Sequence, residues 1–231
     1  MGQKRVGGYA MTRVLNILVE GETEKEFVNN LIYPHLLAAD ISNIRPITIE
    51  TSPGFKGGDV RYHARYKPNI ISLLYGKEDM IVTSLIDFYK LRNDFPGFAE
   101  SKEIKDINNR VKFLEDSCFK DVNDNRFIPY IQLHEFEGLL FTDFKGFDLF
   151  SDLPDSNKKE LMKIVNDFPN PELINEGSNT APSVRLKNLI PRYQKPLFGN
   201  MIALENGFEV ILEKCPRFKA WIENLIFRMK A

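Results

Sequence analysis

The sequence has little cysteine, no long apolar run and almost no net charge, and each shortage closes off a class of function. Two cysteines, Cys118 and Cys215, stand far apart in 231 residues without metal-ligand spacing. A disulfide framework and a thiolate zinc site are therefore set aside, and reduced thiols in a cytoplasmic protein are expected. No stretch reaches the length needed to cross a bilayer, and the N-terminus has no apolar signal core, so neither membrane insertion nor secretion is expected. Lys and Arg number 31 against 32 Asp and Glu, a formal net charge of -1. This balance neither requires nor excludes a polyanionic partner, because a local basic patch can sit on a neutral protein. The chain also lacks GxGxxG before a helix, a serine-hydrolase elbow, and a GK[ST] completion of its Gly57-Gly58 loop. Dehydrogenase, kinase and P-loop readings fall with them.

What is there is an α/β pattern rich in carboxylates at strand ends. With 43% hydrophobic residues, the length suits one sizeable α/β core with an appendage. Residues 1–10, polar and glycine-rich, read as a flexible lead or cloning remnant; 11–144 as the core; 145–231, broken by Pro169, Pro171, Pro182, Pro191 and Pro196, as a helical extension packed on that core. Val14 to Val19 is a buried strand, followed by Glu20-Gly21 and a helix over Glu24 to Leu37 that Thr23 is placed to cap and Pro34 to kink. Ile44 to Thr51 reads as the second strand. Met80 to Ile86 is a near-continuous apolar run with β-branched residues, ending in Asp87, the pattern of a central parallel strand buried on both faces. A helix over Lys102 to Cys118 and a strand over Phe127 to Leu133 follow. The extension reads as helices near Lys158 to Val165, Ser183 to Leu189, Met201 to Lys214 and Phe218 to Met229.

Three strand ends carry acids: Glu20, Asp87, and Glu135 with Glu137. Open α/β sheets bind ligands at the carboxyl ends of their strands, and a hard cation such as Mg²⁺ or Mn²⁺ takes a few carboxylates plus substrate phosphate. Glu20, Asp87, Glu135 and Glu137 are the metal candidates. Glu24, four residues from Glu20, would serve a second ion or act as base; otherwise it belongs to a charged first helical turn. His134 is a candidate for proton transfer or metal binding, or else orients a carboxylate. Lys56, Arg61, Lys90, Arg92, Arg185 and Lys187 are candidates for substrate phosphate, with Arg126 near them; a solvated surface or a helix cap accounts for the same residues blandly.

The start ILVEGETEKEFV together with the Asp87 strand end resembles a TOPRIM domain. More closely, ILVEGETE, SLIDFYKLRNDFPG, RFIPYIQLHEFEGLLF, INEGSNTAPSVRL and CPRFKAWIENL resemble the bacterial domain-of-unknown-function family 4276, over nearly all of residues 11–230. The resemblance implies a TOPRIM-like (Rossmann-like), mainly parallel sheet flanked by helices. It also implies a prokaryotic defence or mobile-element setting, often beside an AAA- or ABC-type ATPase. The TOPRIM glutamate maps to Glu20 and the first aspartate of its DxD motif to Asp87, but the second falls on Tyr89. The Glu20/Glu24 spacing resembles the ExxxE of overcoming-lysogenisation-type nucleases, which favours cleavage over strand passage. The combined expectation is a Mg²⁺- or Mn²⁺-dependent nuclease acting on DNA or RNA, with homo-oligomerisation left open. The alternatives are a non-catalytic sensor subunit of a defence complex and a primase-like nucleotidyl transferase.

Overall fold

The computed structural model describes residues 13–52, 55–56, 60–76, 79–175, 177 and 179–231. The Gly57-Gly58 loop and the lead at residues 1–10 lie outside them, as does Glu176 in the INEGSN segment.

The centre of the sheet is built from two mainly apolar runs that are buried along their whole length. Strand β1 (Val14–Val19) and strand β2 (Ile44–Thr48) pair in parallel, Leu15 against Ile44 through Val19 against Thr48. The short strands β3 (Glu50–Ser52) and β4 (Phe55–Lys56) form a separate antiparallel pair. Strand β5 (Met80–Asp87) lies parallel on the other side of β1, and β6 (Phe127–Ile128) and β7 (Ile131–Gln132) pair with β5 in turn. The order is β2-β1-β5-β6. The chain leaves β1 in one direction for β2 and later returns on the opposite side as β5. That reversal opens a crevice at the carboxyl ends of β1 and β5.

Alternation along the strands divides the core. Leu15, Ile17 and Val19 with Ile81 and Leu85 face one apolar cluster, while Val14 and Leu18 with Met80, Val82 and Ile86 face the other. Helices α3 (Lys67–Leu74) and α5 (Ile107–Val122) cover the second face. The first face is covered by helix α1 (Glu22–Phe27), which runs through a π segment (Val28–Ile32) into α2 (Tyr33–Ala38), and by the extension. Pro34 stands in the first turn of α2, directly after that π segment, where the missing proline amide is least costly. The same device, Tyr62–Tyr66, precedes Pro68 in α3.

The extension shares the core of the sheet. Phe147, Leu161, Ile164, Leu186, Ile202, Phe218 and Leu225 belong to one cluster with Leu15 and Ile17. After the short helix α4 (Phe98–Ser101), it supplies α6 (Asp155–Asp167), α7 (Pro182–Leu189), α8 (Lys195–Asn206), α9 (Phe208–Lys214) and α10 (Pro216–Lys230). The single helix expected over 201–214 is two helices, because Gly207 at φ 87° turns the chain where a side chain would be strained. The strand expected over 127–133 is broken at Pro129, which has no amide to give the ladder. The expected helix over 102–118 begins instead at Ile107, where Asp106 accepts from the Asn109 amide as its N-cap, and it runs to Val122.

The β7 edge is closed by side chains. The Ile131 amide donates to Glu115 Oε1 at 2.9 Å, and Arg217 Nη2 donates to Ile131 O at 3.1 Å while pairing with Glu115. This buried ion pair takes both outward groups of Ile131 and leaves no ladder there for another chain. Trp221 Nε1 donates to Thr83 Oγ1 at 2.9 Å, which ties α10 to the middle of β5.

Candidate functional site

Glu20 is the first residue beyond β1 and Asp87 the last of β5, so the topology alone puts them side by side. The Asp87 amide donates to Glu20 Oε1 at 2.7 Å. Asp87 Oδ1 accepts from the Phe136 amide at 2.8 Å, which draws the segment after β7 over the crevice. That segment, a 3-10 turn over Phe136–Thr142 preceded by Glu135, carries Glu137 inward. Glu24 enters from the first turn of α1. Four carboxylates therefore gather at the switch point with Glu135 behind them, and all five are buried: Glu20 2%, Glu24 3%, Asp87 2%, Glu135 7% and Glu137 2% exposed.

Two lysines lie among them. Lys90 Nζ is 2.6 Å from Glu20 Oε2 and 3.7 Å from Asp87 Oδ2. Lys195, the first residue of α8, places its Nζ 3.2 Å from both Glu24 Oε1 and Glu137 Oε1. Glu135 is turned to the extension: it accepts from the Ser183 amide at 2.9 Å and from Ser183 Oγ at 3.0 Å, capping α7. Glu24 Oε1 and Asp87 Oδ2, both buried, make no hydrogen bond; their lysine contacts are ion pairs only.

Burial and mutual repulsion set the charge of the cluster. Burial first, then the neighbouring Asp87 charge, pushes the Glu20 carboxyl up to about 8. Burial raises Glu137 to about 7 against the pull of Lys195, with Asp87 and Glu135 adding to the rise. Asp87 is raised as well, by burial. Burial pulls Lys90 and Lys195 down, but the carboxylates around them more than offset it, and both are held above the ordinary lysine value. The site thus holds more carboxylates than its ammonium groups can compensate, and near neutrality it retains bound protons. Among the described residues no group of three His, Cys, Asp or Glu side chains is arranged to hold a metal ion as the structure stands. Ammonium groups lie between the carboxylates instead.

The remaining sequence candidates are dispersed. His134 is buried at φ 56° beside the cluster, and its carbonyl accepts from the Tyr89 amide at 3.0 Å. Arg61 and Arg92 line an open depression of about 500 Å³ with Asn93 and Asp94. Arg185 donates from Nε to Thr180 O at 2.6 Å and lies over the Phe168 ring; Lys187 is exposed on α7. Arg126 is held by Asp124 and Leu74 O. Lys56 lies in β4, and its side chain is outside the described residues. Thr23, expected to cap α1, lies inside it: Gly21 is the cap residue, and Thr23 O accepts from Asn200 Nδ2 at 3.2 Å, docking α8 on α1.

Sequence reasoning missed Lys195 and Tyr193, which come from the extension more than fifty residues beyond Glu137, where no local pattern marks them; Ser183 stood in the family-like INEGSNTAPSVRLK segment, and the structure gives it Glu135 as its partner. Tyr193 lies two residues before Lys195, and its buried hydroxyl finds no hydrogen-bond partner among the described residues. A buried polar atom without a partner beside the cluster is a signal that only the structure adds.

Residues 19–226 match the family model described as domain of unknown function (DUF4276). The chain belongs to the DUF4276 family. This DUF4276 chain resembles the C-terminal region of the Xanthomonas campestris pv. campestris OLD protein phased with platinum, with a TM-score of 0.52 and 19% identity over 94% of each chain. The same region phased with iodine gives 0.50 and 19%, covering 94% of this chain and 95% of that one. The C-terminal region of the Burkholderia pseudomallei OLD protein gives 0.48 and 17%, covering 92% and 98%. At 19% identity the likeness to the Xanthomonas region is one of fold: a mostly parallel α/β sheet with flanking helices and a helical C-terminal extension. No curated protein matches the DUF4276 chain. Among its described residues, no helix is long and apolar enough to cross a membrane.

Proposed function

We propose that this chain is a divalent-metal-dependent hydrolase of nucleic-acid phosphodiesters, working in a prokaryotic defence or mobile-element system with an ATPase partner. The observation that carries the reading is the over-charged carboxylate cluster at the switch point, in which Glu24 Oε1 and Asp87 Oδ2 are buried without a hydrogen bond. Such oxygens suit Mg²⁺ or Mn²⁺, whose ligands are hard and anionic. Glu20, Asp87, Glu24 and Glu137 are the residues that would hold the ion, with Glu135 steadied by Ser183 behind them. When bound, the ion supplies Lewis-acid activation of water and of the phosphoryl oxygens. Lys90 and Lys195 hold positive charge where a phosphate must approach five carboxylates.

One observation favours the second reading, a non-catalytic sensor subunit: the lysines already pair with the carboxylates a metal would need. Calorimetric titration with Mn²⁺, followed by incubation with labelled DNA and RNA, separates the two. Metal binding and metal-dependent cleavage, both lost in Glu20→Gln and Asp87→Asn, support hydrolysis. A wild-type chain that binds no Mn²⁺ at millimolar concentration sinks it and leaves the sensor reading.

A further inference from the structure

Tyr89 falls where the TOPRIM pattern has its second aspartate, and its surroundings give it different work. The chain is buried through β5, Phe88 is 7% exposed and Leu91 6%, yet Tyr89 between them is 53% exposed. The turn that presents it is fixed: the Tyr89 amide donates to His134 O at 3.0 Å, and the Leu91 amide to Phe88 O at 3.1 Å. On either side, Asp87 and Lys90 point into the carboxylate cluster. The exposed Arg92 follows, and with Arg61 it lines the open depression beside the turn. A rigid aromatic ring is thus offered to solvent within two residues of the cluster, followed directly by cations.

We infer that Tyr89 is a stacking platform for an unpaired base of a nucleic-acid strand whose adjoining phosphate lies at the carboxylate cluster. The inference rests on the hydrolase reading and adds the substrate class, a single-stranded or locally unpaired nucleic acid. Aromatic rings interleaved with cations bind single strands because every base has a stacking face, whereas bases inside a duplex are covered by their neighbours. Exposure alone does not single out Tyr89, since Tyr75 is 83% exposed. Tyr75 caps the end of α3, ahead of β5 and so at the amino end of that strand, where no carboxylate cluster stands among the described residues. It serves as an internal control.

The test is fluorescence anisotropy of a labelled oligothymidylate, and of the same strand annealed to its complement, in Ca²⁺ buffer. Tyr89→Ala is expected to weaken single-strand binding roughly 5- to 150-fold, the range for losing one base–aromatic stack. Tyr89→Phe and Tyr89→Trp keep the ring and the affinity, Tyr75→Ala binds as wild type, and base stacking quenches the added indole of Tyr89→Trp. Equal binding by Tyr89→Ala and wild type overturns the inference, as does a wild-type preference for the duplex or no binding at all. Cleavage that persists beside an inert Tyr89→Ala removes only the stacking role. Stacking without cleavage on any substrate removes the hydrolase and leaves a binding site.

Discussion

Replacing Glu137 with Gln should stabilise the metal-free protein while abolishing its response to metal. Glu137 is 2% exposed, and burial together with Asp87 and Glu135 raises it from 4.5 to about 7 in the folded chain. In the unfolded chain it titrates near 4.5 and is ionised at pH 7, so folding must either protonate it or hold it as a disfavoured anion. From 4.5 to about 7 the difference corresponds to about 3 kcal/mol at pH 7, an upper bound because Gln only imitates the protonated acid. A gain of about 1–3 kcal/mol is expected, which for a chain of this size raises Tm by roughly 2–4 °C per kcal/mol. Removing one carboxylate does not strand Lys195, which keeps Glu24 at 3.2 Å. The assay is thermal or urea unfolding in EDTA at pH 5, 7 and 8, repeated with Mn²⁺. The gain should be small at pH 5 and full by pH 8, and Mn²⁺ should raise the wild type and not the variant. Destabilisation by Glu137→Gln in EDTA at pH 8 would refute the account of an over-charged site.

Three further outcomes follow from the same contacts. Lys195→Met removes the ammonium shared by Glu24 and Glu137 and should cost about 3–5 kcal/mol, the range for leaving a buried ion group uncompensated; Mn²⁺ should return part of it, and no metal rescue in urea melts would count against the site. Glu20 at about 8 and Glu137 at about 7 both titrate above their unfolded value of 4.5, so the stability they hold in protonated form is complete below about pH 4.5 and is lost as pH rises to about 8. Metal-free stability should therefore fall by about 1–3 kcal/mol per pH unit between pH 5 and 7, with other groups unchanged, and a rise would contradict the raised values. Arg217→Met leaves Glu115 buried and Ile131 O without its donor, so it should destabilise by about 3–5 kcal/mol, and Glu115→Gln added to it should recover part of the loss in a double-mutant cycle.

Much of the sheet was legible because its signals are local. The Val14–Val19 and Met80–Ile86 runs could be read as buried strands, the second as a central parallel one, from apolar runs with β-branched residues, and the acid after each run was visible as an acid at a strand end. The helices of the extension were legible in kind but not in extent. Their boundaries depend on Gly207 and on which amides find caps, which are matters of backbone geometry. The broken strand at Pro129 shows the same limit: the proline was visible, but the side chains that close the β7 edge, Glu115 and Arg217, come from α5 and α10.

The site divides in the same way. Sequence by itself determined the carboxylates, because a strand end in an open α/β sheet has one place to go and Glu20 and Asp87 end the two strands that flank the switch point. Only the tertiary structure decided their charge state and their partners. Burial at 2–7% exposure depends on the turn after β7 folding over the crevice. Lys195, Ser183 and Tyr193 reach it because the extension buries its apolar faces against the same core as β1. A pKa is set by distance, dielectric and neighbouring charge, and all three are fixed by contacts between residues far apart in the chain.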